Sequence, residues 1–340
     1  MQTQEIVLSE ERHVRLTAYL QEVNGEFGFA ERPAILVLPG GGYAMCSDRE
    51  ADPVALAYMK AGYQAFILRY TVKQYGGWPA PLDDYEQTMD LIEENAEKWH
   101  VCADKIAVVG FSAGGHLTGC AATIARHRPA AAILVYPAIL QDVLDMCQPG
   151  MPSPAEHVSG DTCPCFMVAT RDDKLVPIIN TLAFEKALAE KNIAFESYIY
   201  SFGDHGFSTG EKFLGAKLCV RAPRWVDDSI EWLKEVMGEF TAKGFNDPAY
   251  PNSINGNNAP FLSATCTLNY MNQQSETVRK LLEPMYAGLH AHAVKNKMNE
   301  EKLMTAVGEM TVQELLTTMQ VPPETIAALD AALRQIPNKK

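Results

Sequence analysis

The chain has 340 residues, 47% of them apolar and 21% charged, with 29 Lys and Arg against 42 Asp and Glu for a net charge of −13. That length and apolar share are ample for one large core with an appendage, and the acidic balance excludes the basic face with which nucleic-acid binders hold phosphates. No apolar run is long enough to span a membrane, and Met1-Gln-Thr-Gln-Glu-Ile6 has neither the basic stretch nor the apolar core of a secretion signal, so a cytoplasmic protein with eight free Cys thiols is expected.

Strands are predicted near 4–8 and 14–22, and with no helical run between them they pair as an antiparallel hairpin at one sheet edge. A third strand, Ala34-Ile-Leu-Val-Leu38, runs into Pro39-Gly40-Gly41-Gly42-Tyr43. Three successive glycines are costly in conformational entropy and mark a backbone that bends sharply and approaches a ligand closely. A helix near 50–61, a strand near 65–70, the turn Gly76-Gly77-Trp78-Pro79 and a helix near 84–99 follow. Next comes Lys105-Ile-Ala-Val-Val-Gly110-Phe111-Ser112-Ala113-Gly114, an apolar strand entering a G-x-S-x-G turn, and then a helix near 113–127 rich in small residues. A serine on so tight a strand-to-helix turn stands clear of the sheet, and only glycines two residues to either side allow the turn, so Ser112 is a candidate nucleophile.

Strand 131–136 leads into Pro137–Thr162, a short segment broken by Pro149, Pro152 and Pro154 and carrying His157. Strand 165–170 precedes Arg171-Asp172-Asp173-Lys174-Leu175-Val176-Pro177, which offers two carboxylates. A helix near 178–191 and a strand near 194–200 bring the chain to Ser201-Phe-Gly-Asp-His205-Gly-Phe207, and a helix near 225–240 closes this part. Eight strands with interleaved helices describe an α/β fold with a doubly wound, mostly parallel sheet and a site at the carboxyl ends of its strands.

A nucleophilic serine needs a base, an acid that orients the base, and donors for the oxyanion. In the order Ser, acid, His that follows a G-x-S-x-G turn, the base comes after the acid, and of the eight His only 205, 290 and 292 do. His290 and His292 fall in a helical tail, which leaves His205. Either Asp172 or Asp173 can supply the acid. The N–H of Ala113, after the nucleophile, and those of Gly41 and Gly42 are the oxyanion-hole candidates.

Thr241–Pro260, rich in Asn and without apolar periodicity, reads as a linker between a catalytic part, 1–240, and a small all-α accessory domain, 261–340. In the latter Ser275 opens a helix through Leu282, Thr311-Val-Gln-Glu314 is a capping box, and Pro323 starts a helix through Leu333. This tail has 8 basic and 8 acidic residues, so the whole net charge belongs to residues 1–260. It is expected to pack on the catalytic part or to make a homo-oligomer contact. His290 and His292 lack Cys or carboxylate partners at ligand spacing, so no metal site is expected.

Four motifs stand in one order: Pro39–Tyr43, the G-F-S-A-G-G-H-L run Gly110–Leu117, the D-x-x-V-P run Asp173–Pro177, and His205–Phe207. Together they resemble the acetyl esterase and acetylxylan-esterase-like branch of the α/β-hydrolase superfamily, over roughly residues 1–240. The resemblance selects Asp173 over Asp172 and implies a Ser112–His205–Asp173 triad that works through an acyl-enzyme without a cofactor. Cys163-Pro164-Cys165 departs from the branch's pattern. Only 38 residues precede Pro39, too few and too strand-like for a cap, so an open site is expected with Tyr43, Trp78 and His157 at its rim, although Trp78 reads equally as a buried anchor. The implied activity is removal of acetyl or other short acyl groups from a small-molecule or oligosaccharide ester. Feruloyl ester or arylformamide hydrolysis would use the same triad. The reading of another class, a non-catalytic binding protein on a hydrolase fold, is opposed by the presence of every triad and oxyanion residue.

Overall fold

A computed structural model describes residues 1–214, 222–246, 248, 261–308 and 310–338. The chain divides into two compact units, Met1–Ala249 and Tyr250–Lys340. Among the described residues no helix is long and apolar enough to cross a membrane.

The first unit is built on eight strands: β1 (Gln2–Ser9), β2 (Val14–Leu20), β3 (Arg32–Leu38), β4 (Gln64–Arg69), β5 (Val101–Phe111), β6 (Ala131–Val135), β7 (Cys165–Thr170) and β8 (Phe195–Tyr200). They lie in the order β1-β2-β4-β3-β5-β6-β7-β8. The β1–β2 and β2–β4 pairs are antiparallel and all the others parallel. Period-2 alternation sends the inner strands' side chains to two different cores. Ile35, Val37, Val109 and Ile133 face one core with α1 (Asp52–Lys60) and α7 (Arg224–Met237), which contributes Trp225 and Leu233. Leu36, Leu38 and Val108 face the other with α2 (Ala80–Glu94) and α4 (Ala113–Thr123). The short α3 (Ala96–Trp99) follows α2, and α6 (Ile179–Glu190) covers β6 and β7 on the α4 side through Phe184 and Leu188.

The 137–162 segment contains α5 (Gln141–Cys147) and a 3₁₀ turn, Pro154–His157. Two local expectations are corrected. The helix expected through 240 ends at Met237, where Gly238 takes φ 94°. The residues expected to open a linker instead form a two-stranded hairpin, β9 (Phe240–Thr241) and β10 (Gly244–Phe245). The hairpin is held because the Gly28 N–H donates to the Ala242 carbonyl at 3.0 Å, and because Phe27, Phe29 and Phe240 surround the Arg32 guanidinium at 5.3, 5.0 and 6.0 Å. The remainder of the expected linker, apart from Asn246 and Pro248, lies outside the described residues.

The second unit is helical: α8 (Leu268–Asn272), α9 (Glu276–Lys295), α10 (Glu300–Val307), α11 (Val312–Thr318) and α12 (Pro323–Leu333) around Leu262, Met271, Val278, Leu282, Leu315 and Leu333. The helix expected to stop at Leu282 continues to Lys295 through Pro284. Thr311 and Glu314 form the reciprocal capping box.

Candidate active site

Register brings the site together. Leu38 of β3 pairs with Gly110 of β5, so the glycine loop after β3 emerges beside the turn that carries Ser112. Thr170 of β7 pairs with Tyr200 of β8, which sets the Asp173 loop against the His205 loop.

Ser112 has φ 53° and ψ −114°, a backbone conformation costly for a residue with a Cβ. Its N–H donates to the Val135 carbonyl, and its own carbonyl accepts from His116 and Ala138 N–H, so the turn is held on three sides. The glycines leave no room for anything larger. A Cβ on Gly110 would lie 2.1 Å from Thr118 Oγ1, and one on Gly114 would lie 2.0 Å from the Leu38 carbonyl oxygen. Ser112 is half-buried, whereas every residue of α4 behind it is buried.

His205 Nε2 lies 2.9 Å from Ser112 Oγ, and its Nδ1 lies 2.6 Å from Asp173 Oδ2. A carboxylate oxygen can only accept, so Nδ1 carries the hydrogen and Nε2 presents its lone pair to the serine hydroxyl. Asp173 is buried, and its Oδ1 accepts the Leu175 and Val176 N–H at 2.9 Å each, which fixes the carboxylate in place. Asp172 is exposed and accepts the Gly203 N–H at 2.8 Å, bracing the loop on which His205 sits.

The glycine loop turns through Gly41 at φ 133° and Gly42 at φ 60°. Among the described residues the Gly41 and Gly42 N–H groups meet no acceptor, while the Gly40 N–H is taken by Glu50 Oε2 at 2.8 Å. The Ala113 N–H is the first of α4 and has no partner within the helix. These three N–H groups lie on the two loops that register brings together at Ser112, and an oxyanion hole needs such uncommitted donors.

The residues expected at the rim are placed otherwise. Tyr43 is 3% exposed, and its hydroxyl donates to His116 Nδ1 at 2.7 Å. Trp78 is half-buried with its ring edge-on to His116 at 5.3 Å, and its backbone N–H donates to Gln148 Oε1. His157 is exposed at the end of its 3₁₀ turn, where Pro154 packs beside Gly119, well along α4 from Ser112. Tyr43 and Trp78 thus both pack on His116. Sequence reasoning passed over His116 itself, which is fully buried. Its Nε2–H donates to the Pro152 carbonyl at 2.8 Å, so the imidazole ties the glycine loop to the 137–162 segment in neutral form, its pKa pushed by burial down to about 4. It also passed over Glu50 and Tyr136, whose carboxylate and phenol meet at 2.6 Å. Glu50 stands just ahead of a helix start, where an acid ordinarily complements the dipole at the surface. Cys46 hydrogen-bonds the Tyr70 carbonyl, and burial lifts its thiol to about 12, as expected of a packing residue.

A family model described as BD-FAE matches residues 27–130, the span that holds the glycine loop and Ser112. The chain is 39% identical to MGS-M1, an α/β-hydrolase enzyme from a Medee basin deep-sea metagenome library, whose crystal structure superposes with a TM-score of 0.65 over 70% of this chain and 98% of that one. It is 32% identical over 52% of its length to endo-1,4-beta-xylanase B of Butyrivibrio fibrisolvens, and 28% identical over 60% to an acetylxylan esterase of Xylanibacter ruminicola. The chain spans 33% and 45% of the lengths of these two relatives.

Proposed function

The chain belongs to the α/β-hydrolase family, in its esterase branch, and on that premise we propose that it is a serine carboxylesterase that removes acetyl or other short acyl groups from carbohydrate-borne esters. The observation that carries the reading is the relay from Ser112 Oγ through His205 to Asp173 at 2.9 and 2.6 Å, near backbone N–H groups that meet no acceptor among the described residues. In this reading His205 Nε2 takes the hydroxyl proton as Ser112 Oγ attacks the ester carbonyl, and Gly41, Gly42 and Ala113 receive the charge on its oxygen. The imidazolium then protonates the departing sugar oxygen, and water repeats the sequence to release the acid. The carbohydrate portion is supported by the acetylxylan esterase relative and by the short 137–162 segment over the strand ends. With Tyr43 and Trp78 engaged by His116, sugar recognition falls to backbone and polar groups around the loops. The test is hydrolysis of p-nitrophenyl esters from acetyl to dodecanoyl, with acetylated xylo-oligosaccharides, a feruloyl ester and an aryl formamide alongside. Acetyl esters should be preferred, and Ser112→Ala should lose about 10⁶-fold in kcat while keeping its fold. Faster turnover of the feruloyl ester or formamide would transfer the assignment to that chemistry, and Ser112→Ala with wild-type turnover would remove it.

A further inference from the structure

Glu50 is a carboxylate buried to 4% exposure that the triad chemistry leaves without a part. It closes the 3₁₀ turn Asp48–Glu50 beneath the glycine loop. Oε2 accepts the Gly40 N–H at 2.8 Å and Oε1 accepts the Tyr136 hydroxyl at 2.6 Å. The position a Cβ would take on Gly40 lies 2.7 Å from Glu50 Oε2 and 3.0 Å from Ser112 Cβ, so the carboxylate sits immediately under the nucleophile. Tyr136 extends the connection. Its oxygen accepts the Ser208 N–H at 3.0 Å, and its ring lies edge-on to the His205 imidazole at 4.8 Å. The same turn reaches the His205 loop a second way, because the Ser208 hydroxyl donates to the Arg49 carbonyl. Tyr136 and Ser208 hold φ values of 39° and 51°, in the left-handed region that residues with side chains avoid. Such strain persists only where neighbouring bonds determine it.

The geometry points to Glu50 as a positioning residue that, through Gly40 on one side and Tyr136 with Ser208 on the other, locks the oxyanion loop and the His205 loop into register around Ser112. The inference rests on the hydrolase reading above and goes beyond the triad. Only a carboxylate supplies two acceptors at that spacing. A glutamine of the same shape presents one acceptor and one donor, so either the Gly40 N–H or the Tyr136 hydroxyl proton loses its acceptor. With the fixed point gone the two loops shift independently, and a displacement of about 1 Å between base and nucleophile costs roughly 10²-fold in rate.

The test compares wild type, Glu50→Gln, Tyr136→Phe and Tyr58→Phe on p-nitrophenyl acetate, with Ser112 counted by a fluorophosphonate so that kcat is expressed per competent site. Tyr58 is the control. It is buried in the same core and bonds Ser229 Oγ at 2.7 Å, so losing its hydroxyl should lower Tm without touching the loops. Glu50→Gln should lower kcat per site by about 10²-fold and Tyr136→Phe by about tenfold, with KM within about twofold in each. The double variant should be no slower than Glu50→Gln, because both act through one connection. Wild-type kcat per site in Glu50→Gln or Tyr136→Phe, with Tm lowered as in Tyr58→Phe, would reduce Glu50 to a structural residue. Should Glu50→Gln fail to fold, Tyr136→Phe decides. If the wild type hydrolyses no ester, the esterase reading fails by itself, and the rate of Ser112 phosphonylation across the same variants still decides the role of Glu50.

Discussion

Asp172 and Asp173 are neighbours in sequence with different partners: one holds the Gly203 N–H from the surface, the other is buried against His205. Asp173→Asn should cost about 10⁴-fold in kcat, since an amide cannot hold the imidazole in the same tautomer. Asp172→Asn, which keeps an acceptor for Gly203, should cost little. Reversed effects in steady-state kinetics would move the acid by one residue. His116 makes a second prediction, with a definite sign. Its folded pKa of about 4 lies below the ordinary 6.5, so the native state refuses a proton that the unfolded chain accepts. Its contribution is therefore intact above pH 6.5, declines as pH falls towards 4 by about 3 kcal/mol, and changes no further below that. Urea unfolding of His116→Asn at pH 7, 5.5 and 4.5 should give lower stability at pH 7 and a shallower decline than wild type. Parallel declines would show that His116 is protonated in the folded protein. Ser112, His205 and the glycine loop were legible because turn geometry and chain order leave few alternatives. Asp173 needed family register in addition, and Glu50 and His116 were invisible because nothing in their local spacing indicates burial.

At the scale of elements the sheet was legible almost throughout, since buried β-branched runs bounded by turn residues have one reading at that length. What escaped depended on contacts distant in sequence. The hairpin at Phe240–Phe245 is too short to announce itself and exists because Gly28 and the Arg32 aromatic cluster receive it. The continuation of α9 through Pro284 is a case where burial of Met285 and Leu289 outweighs a missing backbone donor. The junction of β3 with α4 carries a prediction of its own. Gly114→Ala puts a methyl 2.0 Å from the Leu38 carbonyl, with strand backbone unable to yield. Helix and strand must separate, so the variant should lose several kcal/mol of stability and also the labelling of Ser112 by a fluorophosphonate in whatever fraction still folds. Normal labelling in a stable Gly114→Ala protein would show that the turn tolerates side chains.

Each of the two units of the whole molecule has its own apolar core, and every residue assigned to the chemistry lies in the first. A chain ended after Pro248 keeps the hairpin over Arg32 and should still react at Ser112. One ended at Gly238 strips Phe240 from the guanidinium and should melt lower. If the chain ended after Pro248 were folded yet unreactive, the helical unit would be part of the catalytic apparatus.

The strand order has a further consequence. Ser112 follows β5, flanked by β3 and β6 in the middle of the sheet, whereas His205 follows β8, which among the described residues pairs with β7 alone. Sheets open from their margins, where one neighbour holds a strand instead of two. On pairing alone, warming should therefore loosen β8 and the start of the loop that bears His205 before it disturbs the turn that carries Ser112. Reactivity of Ser112 towards a fluorophosphonate should then fade on warming before the core melts and return on cooling, whereas loss of both at one temperature would show that β8 opens only with the whole sheet.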